Sequence, residues 1–245
     1  MILELKGVTK KFGKILVINN FSFDVAKGQV KSVIGPNGAG KTTLFNIISG
    51  AYSPDSGKII FNGNVINGLL PNKLCRLGLS RSFQITNIFQ KMTVFENIRI
   101  ALQGCLRTKN VFQWDQKTRL LEDKAQDMLE LIGIWDKQKE FAGNLSHGDQ
   151  RHLEIGIALA SNPSLLLLDE PTAGMNIRES LETIKLINKF REKVTMLIIE
   201  HDMKLVLEVS DEIAVLQNGE LLCEGPPETI RKDKRVQDAY LGEEL

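Results

Sequence analysis

The sequence predicts an α/β fold built around a phosphate-binding loop, with antiparallel β structure before the loop and a helical insertion after it. Three features carry that prediction. Gly35-Pro36-Asn37-Gly38-Ala39-Gly40-Lys41-Thr42-Thr43 fits the pattern G-x-x-x-x-G-K-[ST], entered through a short strand over Val30 to Ile34 and left through Leu44, Ile47 and Ile48 at helical spacing. Leu165 to Leu168 is a continuous apolar run, as expected of a strand buried on both faces of a parallel sheet. Between the two, from about 90 to 160, strand signals are few and helical periodicity dominates.

The residue types of the loop follow from what a nucleotide's phosphates require. Gly35, Gly38 and Gly40 allow a tight turn that aims backbone N–H groups at phosphate oxygens, and Pro36, Asn37, Ala39 and Thr43 complete the wrap. Lys41 brings a point charge to the β- and γ-phosphates, and the Thr42 hydroxyl can ligate Mg²⁺. The helix behind the loop adds the partial positive charge of its N-terminus, and Gly50 stands where a cap would end it.

Composition narrows the alternatives. A chain of 245 residues suits one large domain, or one domain with a subdomain. With 31 Lys and Arg against 30 Asp and Glu, nothing electrostatic points to nucleic acid. Cys75, Cys105 and Cys223 are odd in number and far apart, which argues for a reducing compartment and against a disulfide frame or zinc site. The N-terminus lacks a signal-peptide pattern, and no apolar run approaches the ~20 residues of a membrane span. A soluble, cytoplasmic protein is expected, so any membrane role would come through a partner.

In chain order, residues 1–30 read as β structure: Leu3 and Leu5 alternate with polar residues, and Val17, Ile18, Phe21, Phe23 and Val25 give two further apolar stretches. Asn62-Gly63 marks a hairpin between Ile59–Phe61 and Val65–Ile66. Thr93 begins an N-capped helix. Residues 115–132 form a clear amphipathic helix with Leu120, Leu121, Ala125, Met128, Leu129 and Ile132 on one face. Strand patterns resume after Pro163. Leu181, Ile184, Leu186, Ile187 and Phe190 mark a helix, Met196 to Ile199 a second buried strand, and Asn218-Gly219 a last hairpin. A charged helical tail runs over 227–245.

Asp169 and Glu170 end the first buried strand, where parallel α/β sheets place their ligands. Beside a phosphate loop, Asp169 would orient Mg²⁺ and Glu170 would act as general base on water. Asn144-Leu145-Ser146-His147-Gly148-Asp149-Gln150 then resembles the signature motif of ATP-binding-cassette (ABC) ATPases, with His147 in place of the first Gly and Ser146 and Gly148 retained. Ser146 also reads as a helix N-cap, and a Ser-Gly helix start is an anion site. The resemblance covers nearly the whole chain.

That resemblance implies a P-loop NTPase core with an antiparallel β subdomain and a helical ABC insertion. It gives one cassette over 1–245, with its core at about 1–88 and 163–245 and the helical part at about 89–162. Gln84 is similar to the glutamine that contacts Mg²⁺ or water, and His201 to the histidine that contacts the γ-phosphate. Phe12 resembles the aromatic that stacks on adenine, a core Phe in an N-terminal strand being the alternative. Asn176 stands where the family has Asp. His147 and His152 lack the spacing of a helical metal pair.

The segments Gly174-Met175-Asn176, Gly148-Asp149-Gln150, 199–204 and 239–243 resemble the subfamily that energises branched-chain amino acid uptake. The implied partners are two integral membrane permease subunits, a second cassette that completes two ATP sites, and indirectly a solute-binding protein. The implied place is the cytoplasmic face of the membrane. Importers of urea or short amides and lipopolysaccharide exporters are the neighbouring readings. A soluble ABC ATPase on DNA or ribosomes would bring long insertions or two cassettes in one chain, and a GTPase would bring Asn-Lys-x-Asp. Neither pattern is present.

Overall fold

The computed structural model describes residues 1–82, 88–105 and 114–239. Strands β1 (Leu3–Phe12) and β2 (Ile15–Val25) form a hairpin. On its other side β1 pairs with β4 (Ser56–Phe61), which turns at Asn62-Gly63 into the short β5 (Asn64–Val65). All the pairings in this four-stranded sheet are antiparallel. The two apolar stretches expected after residue 16 are one strand, whose pairing with β1 slips register where Asn20 takes a φ of 46°.

The second sheet holds β3 (Val30–Ile34), β6 (Leu79–Ser82), β7 (Leu165–Asp169), β8 (Thr195–Ile199), β9 (Glu212–Gln217) and β10 (Glu220–Gly225). Its order is β10-β9-β3-β8-β7-β6, parallel throughout except for the β9–β10 hairpin. All five residues of β3, of β7 and of β8 are buried. Alternation divides their side chains between two cores. Leu165, Leu167, Leu197 and Ile199 face the antiparallel sheet and α1 (Lys41–Ile48), while Leu166, Leu168, Met196 and Ile198 face the helical side.

That second core is filled by α3 (Val94–Cys105), α4 (Trp114–Leu131), α5 (His147–Leu159) and α6 (Ile177–Phe190), through Ile98, Leu129, Leu153 and Ile187 among others. α3 starts as expected: Thr93 Oγ1 accepts from the Glu96 N–H at 3.1 Å, and the Glu96 carboxylate accepts from the Thr93 N–H at 2.8 Å. Two predicted apolar faces are narrower than their periodicity implied. Leu120 and Leu181 are about half exposed, at 52% and 48%, because each lies on the rim of its helix's buried stripe.

A third cluster joins α7 (Met203–Val209), α8 (Pro227–Lys232) and α9 (Lys234–Ala239) to β3 and β9 through Val206, Ile230, Val236, Ile34 and Val215. The sequence did not mark α2 (Pro71–Leu77) or β6. Nor does β3 have an apolar middle. Lys31 is fully buried there, with its ammonium 2.9 Å from Glu212, 3.0 Å from Glu224 and over the Phe23 ring. Ser32 and Ser210 share a hydrogen bond of 2.6 Å.

Leu168 is fully buried one residue before Asp169, so Leu168→Ala would leave a cavity beneath the strand end. A loss of about 2–5 kcal/mol is expected in urea denaturation. A loss under about 1 kcal/mol would mean that the helical layer collapses into the gap.

Candidate nucleotide site

The loop over 35–40 leaves β3 and opens α1, with Gly40 at the N-cap in the left-handed region (φ 106°). Neighbouring backbone fixes its glycines. A Cβ on Gly35 would lie 2.1 Å from the Leu216 carbonyl oxygen, and one on Gly40 would lie 2.9 Å from that of Val17. The β9–β10 turn braces the loop, since Gly219 donates to the Ala39 carbonyl at 3.0 Å. Lys41, nearly buried, donates to the carbonyls of Gly35 (2.5 Å) and Pro36 (3.1 Å), which holds its charge at the centre of the loop. Thr42 is exposed in the first turn of α1.

Because β3, β8 and β7 are adjacent and parallel, their carboxyl ends lie side by side. Asp169 ends β7, buried to 1% exposure, and Glu170 follows with a φ of 46°, an uncommon conformation for a side chain of its size. The Glu170 N–H donates to the Ile199 carbonyl at 2.9 Å. His201, just past β8, sets Nδ1 3.8 Å from Glu170 Oε1 and 3.4 Å from Glu200 Oε2. The fully buried Glu200 accepts from Thr172 N and Oγ1 and from the backbone N–H groups of His201 and Asp202. One carboxylate thus joins the loops that follow β7 and β8.

Two arginines complete the strand-end network. Arg81, on β6, donates to Asp169 Oδ2 at 2.6 Å and also to Asn46 and Ser49 at the end of α1. Asp169 Oδ1 is buried without a hydrogen-bond partner among the described residues. Arg151, on α5, donates to the Asp169 carbonyl and, at 2.8 Å, to Glu154. The start of α5 is thereby tied to the end of β7.

Ser146 caps α5 as expected, accepting from the Asp149 N–H at 3.2 Å. Gly148 packs so closely on α6 that an added Cβ would meet Glu179 Cγ at 3.0 Å. Asn176 caps α6 in a reciprocal box with Glu179, a task that its amide performs as well as a carboxylate would. Phe12 is not a core residue. It is 41% exposed, edge-on to Tyr52 at 5.3 Å, with the Lys10 ammonium 5.4 Å from its ring centre.

The phosphate loop, Asp169, Glu170 and His201 therefore converge on one sheet edge, while Ser146 and Gly148 stand at the start of α5, Gly148 against α6. Gln84 lies outside the described residues. Sequence reasoning missed Arg81, Arg151 and Glu200. Only the i,i+3 spacing of Arg151 and Glu154 offered a local signal. Among the described residues no group of three or more His, Cys, Asp and Glu side chains could hold a metal. No described helix is long and apolar enough to cross a membrane.

A phosphate loop opening a helix, beside parallel strands that end in an Asp-Glu pair and a His, defines a P-loop nucleotide-binding domain. The ABC transporter family model matches residues 18–173, and that of the branched-chain amino acid ATP-binding cassette transporter matches residues 220–245. The chain belongs to the ABC transporter ATP-binding family and is an ABC ATPase cassette. The high-affinity branched-chain amino acid transport ATP-binding protein LivG of Salmonella typhimurium is 41% identical over 99% of this chain and 98% of its own length. BraF of Pseudomonas aeruginosa, of the same description, is 42% identical with the same coverage. A crystal structure of an ABC transporter cassette in its ADP conformation superposes with a TM-score of 0.87 at 31% identity, covering 99% of both chains. A dimeric post-hydrolysis cassette with ADP and Pi gives 0.77 at 26% identity, over 92% of this chain and 98% of that one.

Glu200→Ala would leave the donors of Thr172, His201 and Asp202 without their acceptor. It is expected to cost about 1–3 kcal/mol in denaturant unfolding and to slow ATP turnover, with Glu200→Gln retaining more of both. Unchanged stability in the Ala variant would mean that water replaces the carboxylate.

Proposed function

We propose that this chain is the ATP-hydrolysing subunit of a branched-chain amino acid importer, acting as one cassette with a core of about 1–88 and 163–245 and a helical part of about 89–162. The observation that carries the catalytic reading is the meeting of Glu170 and His201, 3.8 Å apart, at strand ends adjacent to the phosphate loop. The transport reading draws support from the match over residues 220–245 and from the relatives' function.

In this reading the backbone N–H groups available over 35–43 (Pro36 has none) and Lys41 hold the phosphates, Phe12 offers a ring face to adenine, and Glu170 takes the proton of the attacking water. His201 donates to the γ-phosphate while Glu200 orients its loop. Mg²⁺ suits the residues present. Asp169 Oδ1 is a buried acceptor still to be satisfied, and Thr42 supplies a hydroxyl, a hard-oxygen set that a hydrated Mg²⁺ shares with phosphates. Asp169 and Thr42 would hold it, with Gln84 as a further contact, and the ion would neutralise charge developing on the phosphates. Ser146 and Gly148 would address the γ-phosphate of a second cassette, so that two chains enclose two ATPs.

Two permease subunits would receive the resulting movement at the cytoplasmic face of the membrane, with a solute-binding protein on the far side. Phe89 and Phe141, 55% and 54% exposed, support such a contact, because Gly143 donates to the Gln90 carbonyl at 3.0 Å and aligns their two segments. Exposed aromatic anchors of this kind concentrate binding energy.

Glu170→Gln is expected to retain ATP binding while turnover falls ~10²–10⁴-fold, whereas Lys41→Ala weakens nucleotide binding itself. Full turnover in Glu170→Gln would remove the proposed base. In that variant ATP, but not ADP, should produce a dimer in sedimentation, and Ser146→Arg should abolish it. An ATP-independent dimer would count against the enclosed-ATP arrangement.

Phe89→Ala should leave the thermal melt and basal ATPase nearly intact. Stimulation by permeases and loaded binding protein in proteoliposomes should fall severalfold, as expected for loss of an aromatic anchor. Undiminished stimulation would exclude Phe89 from the contact.

A further inference from the structure

Asp149 faces Ser146 inside the first turn of α5, and its Oδ2 carries two bonds. It accepts the Ser146 hydroxyl proton at 2.8 Å and stands 2.5 Å from the Lys137 ammonium. A serine hydroxyl has one proton to give. While Asp149 holds that proton, Ser146 cannot donate to a phosphate oxygen. A carboxylate at this distance also opposes the approach of a polyphosphate to a helix N-terminus that would otherwise attract it.

Lys137 restores the balance. It reaches Asp149 from the short 3₁₀ turn Trp135–Lys137, and the bond to Asp149 raises its pKa, so it stays charged. Asp136 and Glu140, on its own side of the pair, also favour the charged form of Lys137, and His152 lies one turn along α5, 3.2 Å from Thr183 Oγ1. Burial holds its pKa below the ordinary histidine value, so at neutral pH it adds no compensating charge. The Asp149 side chain is 18% exposed and that of Lys137 is 33% exposed, so salt screens the pair only in part.

We infer that Asp149 and Lys137 are opposed positioning residues of the composite ATP site: Asp149 restrains closure by holding the Ser146 proton, and Lys137 limits that restraint by neutralising the carboxylate. The inference rests on the proposed role of Ser146 toward the second cassette's γ-phosphate. It deepens that role by assigning the energetic setting of the contact to two residues outside the Ser-Gly pair. Closure then requires Ser146 to turn from Asp149 to phosphate, which Lys137 permits by remaining as the partner of the carboxylate.

The test is sedimentation of the Glu170→Gln protein across an ATP titration, with the dimer midpoint expressed relative to the ATP affinity of the monomer. Adding Asp149→Asn should lower the ATP concentration for half-dimerisation about tenfold, because the amide removes the charge and is a weaker acceptor for the Ser146 proton. Lys137→Gln should raise it about tenfold and steepen its dependence on salt. The Lys137→Gln/Asp149→Asn pair should return to the Asp149→Asn level, since Lys137 acts only through the carboxylate. A midpoint unchanged or raised by Asp149→Asn overturns the inference, as does a double variant as weak as Lys137→Gln. If Asp149→Asn melts early, Asp149→Gln is expected to shift in the same direction, and a shift in the other direction overturns the inference. A parent protein with no ATP-dependent dimer overturns the composite site and the inference together. A dimer abolished by Ser146→Arg but indifferent to Asp149→Asn overturns the inference alone.

Discussion

A strand buried on both faces leaves no room for chemistry along its length. In β7 and β8 every apolar side chain serves one core or the other, alternating between the α1 side and the helical side. Polar function is therefore pushed to the strand ends, where the chain leaves the sheet and backbone groups become available. The strand order then decides which ends meet. With β3 beside β8 and β8 beside β7, the phosphate loop, His201 and the Asp169-Glu170 pair share one edge although more than a hundred residues separate the first from the others.

Charges at such an edge are costly unless partnered, and the partners do more than offset burial. Arg81 neutralises Asp169 from β6 while anchoring to the end of α1. Arg151 grips the carbonyl of the same Asp169 from α5, so the acid is held through both its side chain and its backbone. Glu200 collects four donors and joins the loops after β7 and β8. The bonds of Arg81, of Arg151 and of Glu200 to Thr172 cross between elements far apart in the chain. A rigid frame of this kind favours discrete rather than graded movement when one end is loaded.

The same frame bears on how the proposed half-sites would communicate. Arg151 lies in the helix that Ser146 caps and is bonded to the carbonyl of Asp169 at the end of β7, one residue before Glu170. A displacement of the α5 terminus by a second cassette would have a short, bonded route to the acid pair. The Asn176–Glu179 box holds the neighbouring helix start, with Gly148 packed directly on Glu179. The missing Cβ of Gly148 leaves room at that junction for the Glu179 side chain.

The sequence by itself determined the elements whose local pattern is strong. The phosphate loop is a fixed spacing of Gly, Lys and Thr. β7 and β8 are runs of consecutive apolar residues, the β4–β5 and β9–β10 hairpins carry Asn-Gly, and α3 and α5 announce their caps. What it could not determine was whatever depends on a distant partner. Lys31 lies in a fully buried strand and is tolerated there because Glu212 and Glu224 reach it from β9 and β10. Phe12 has the same composition whether core or surface, and only the fold places it beside Tyr52 with its ring exposed. Leu120 and Leu181 satisfy helical periodicity yet face outward, because the width of a buried stripe is set by the neighbouring helix. Nothing in their neighbouring residues gave the long-range partners of Arg81, Arg151, Glu200 and Lys137. Hydrophobic periodicity is written in neighbouring residues, whereas a buried ion pair or hydrogen bond is a relation between residues far apart in the chain, and only tertiary packing brings its two halves together.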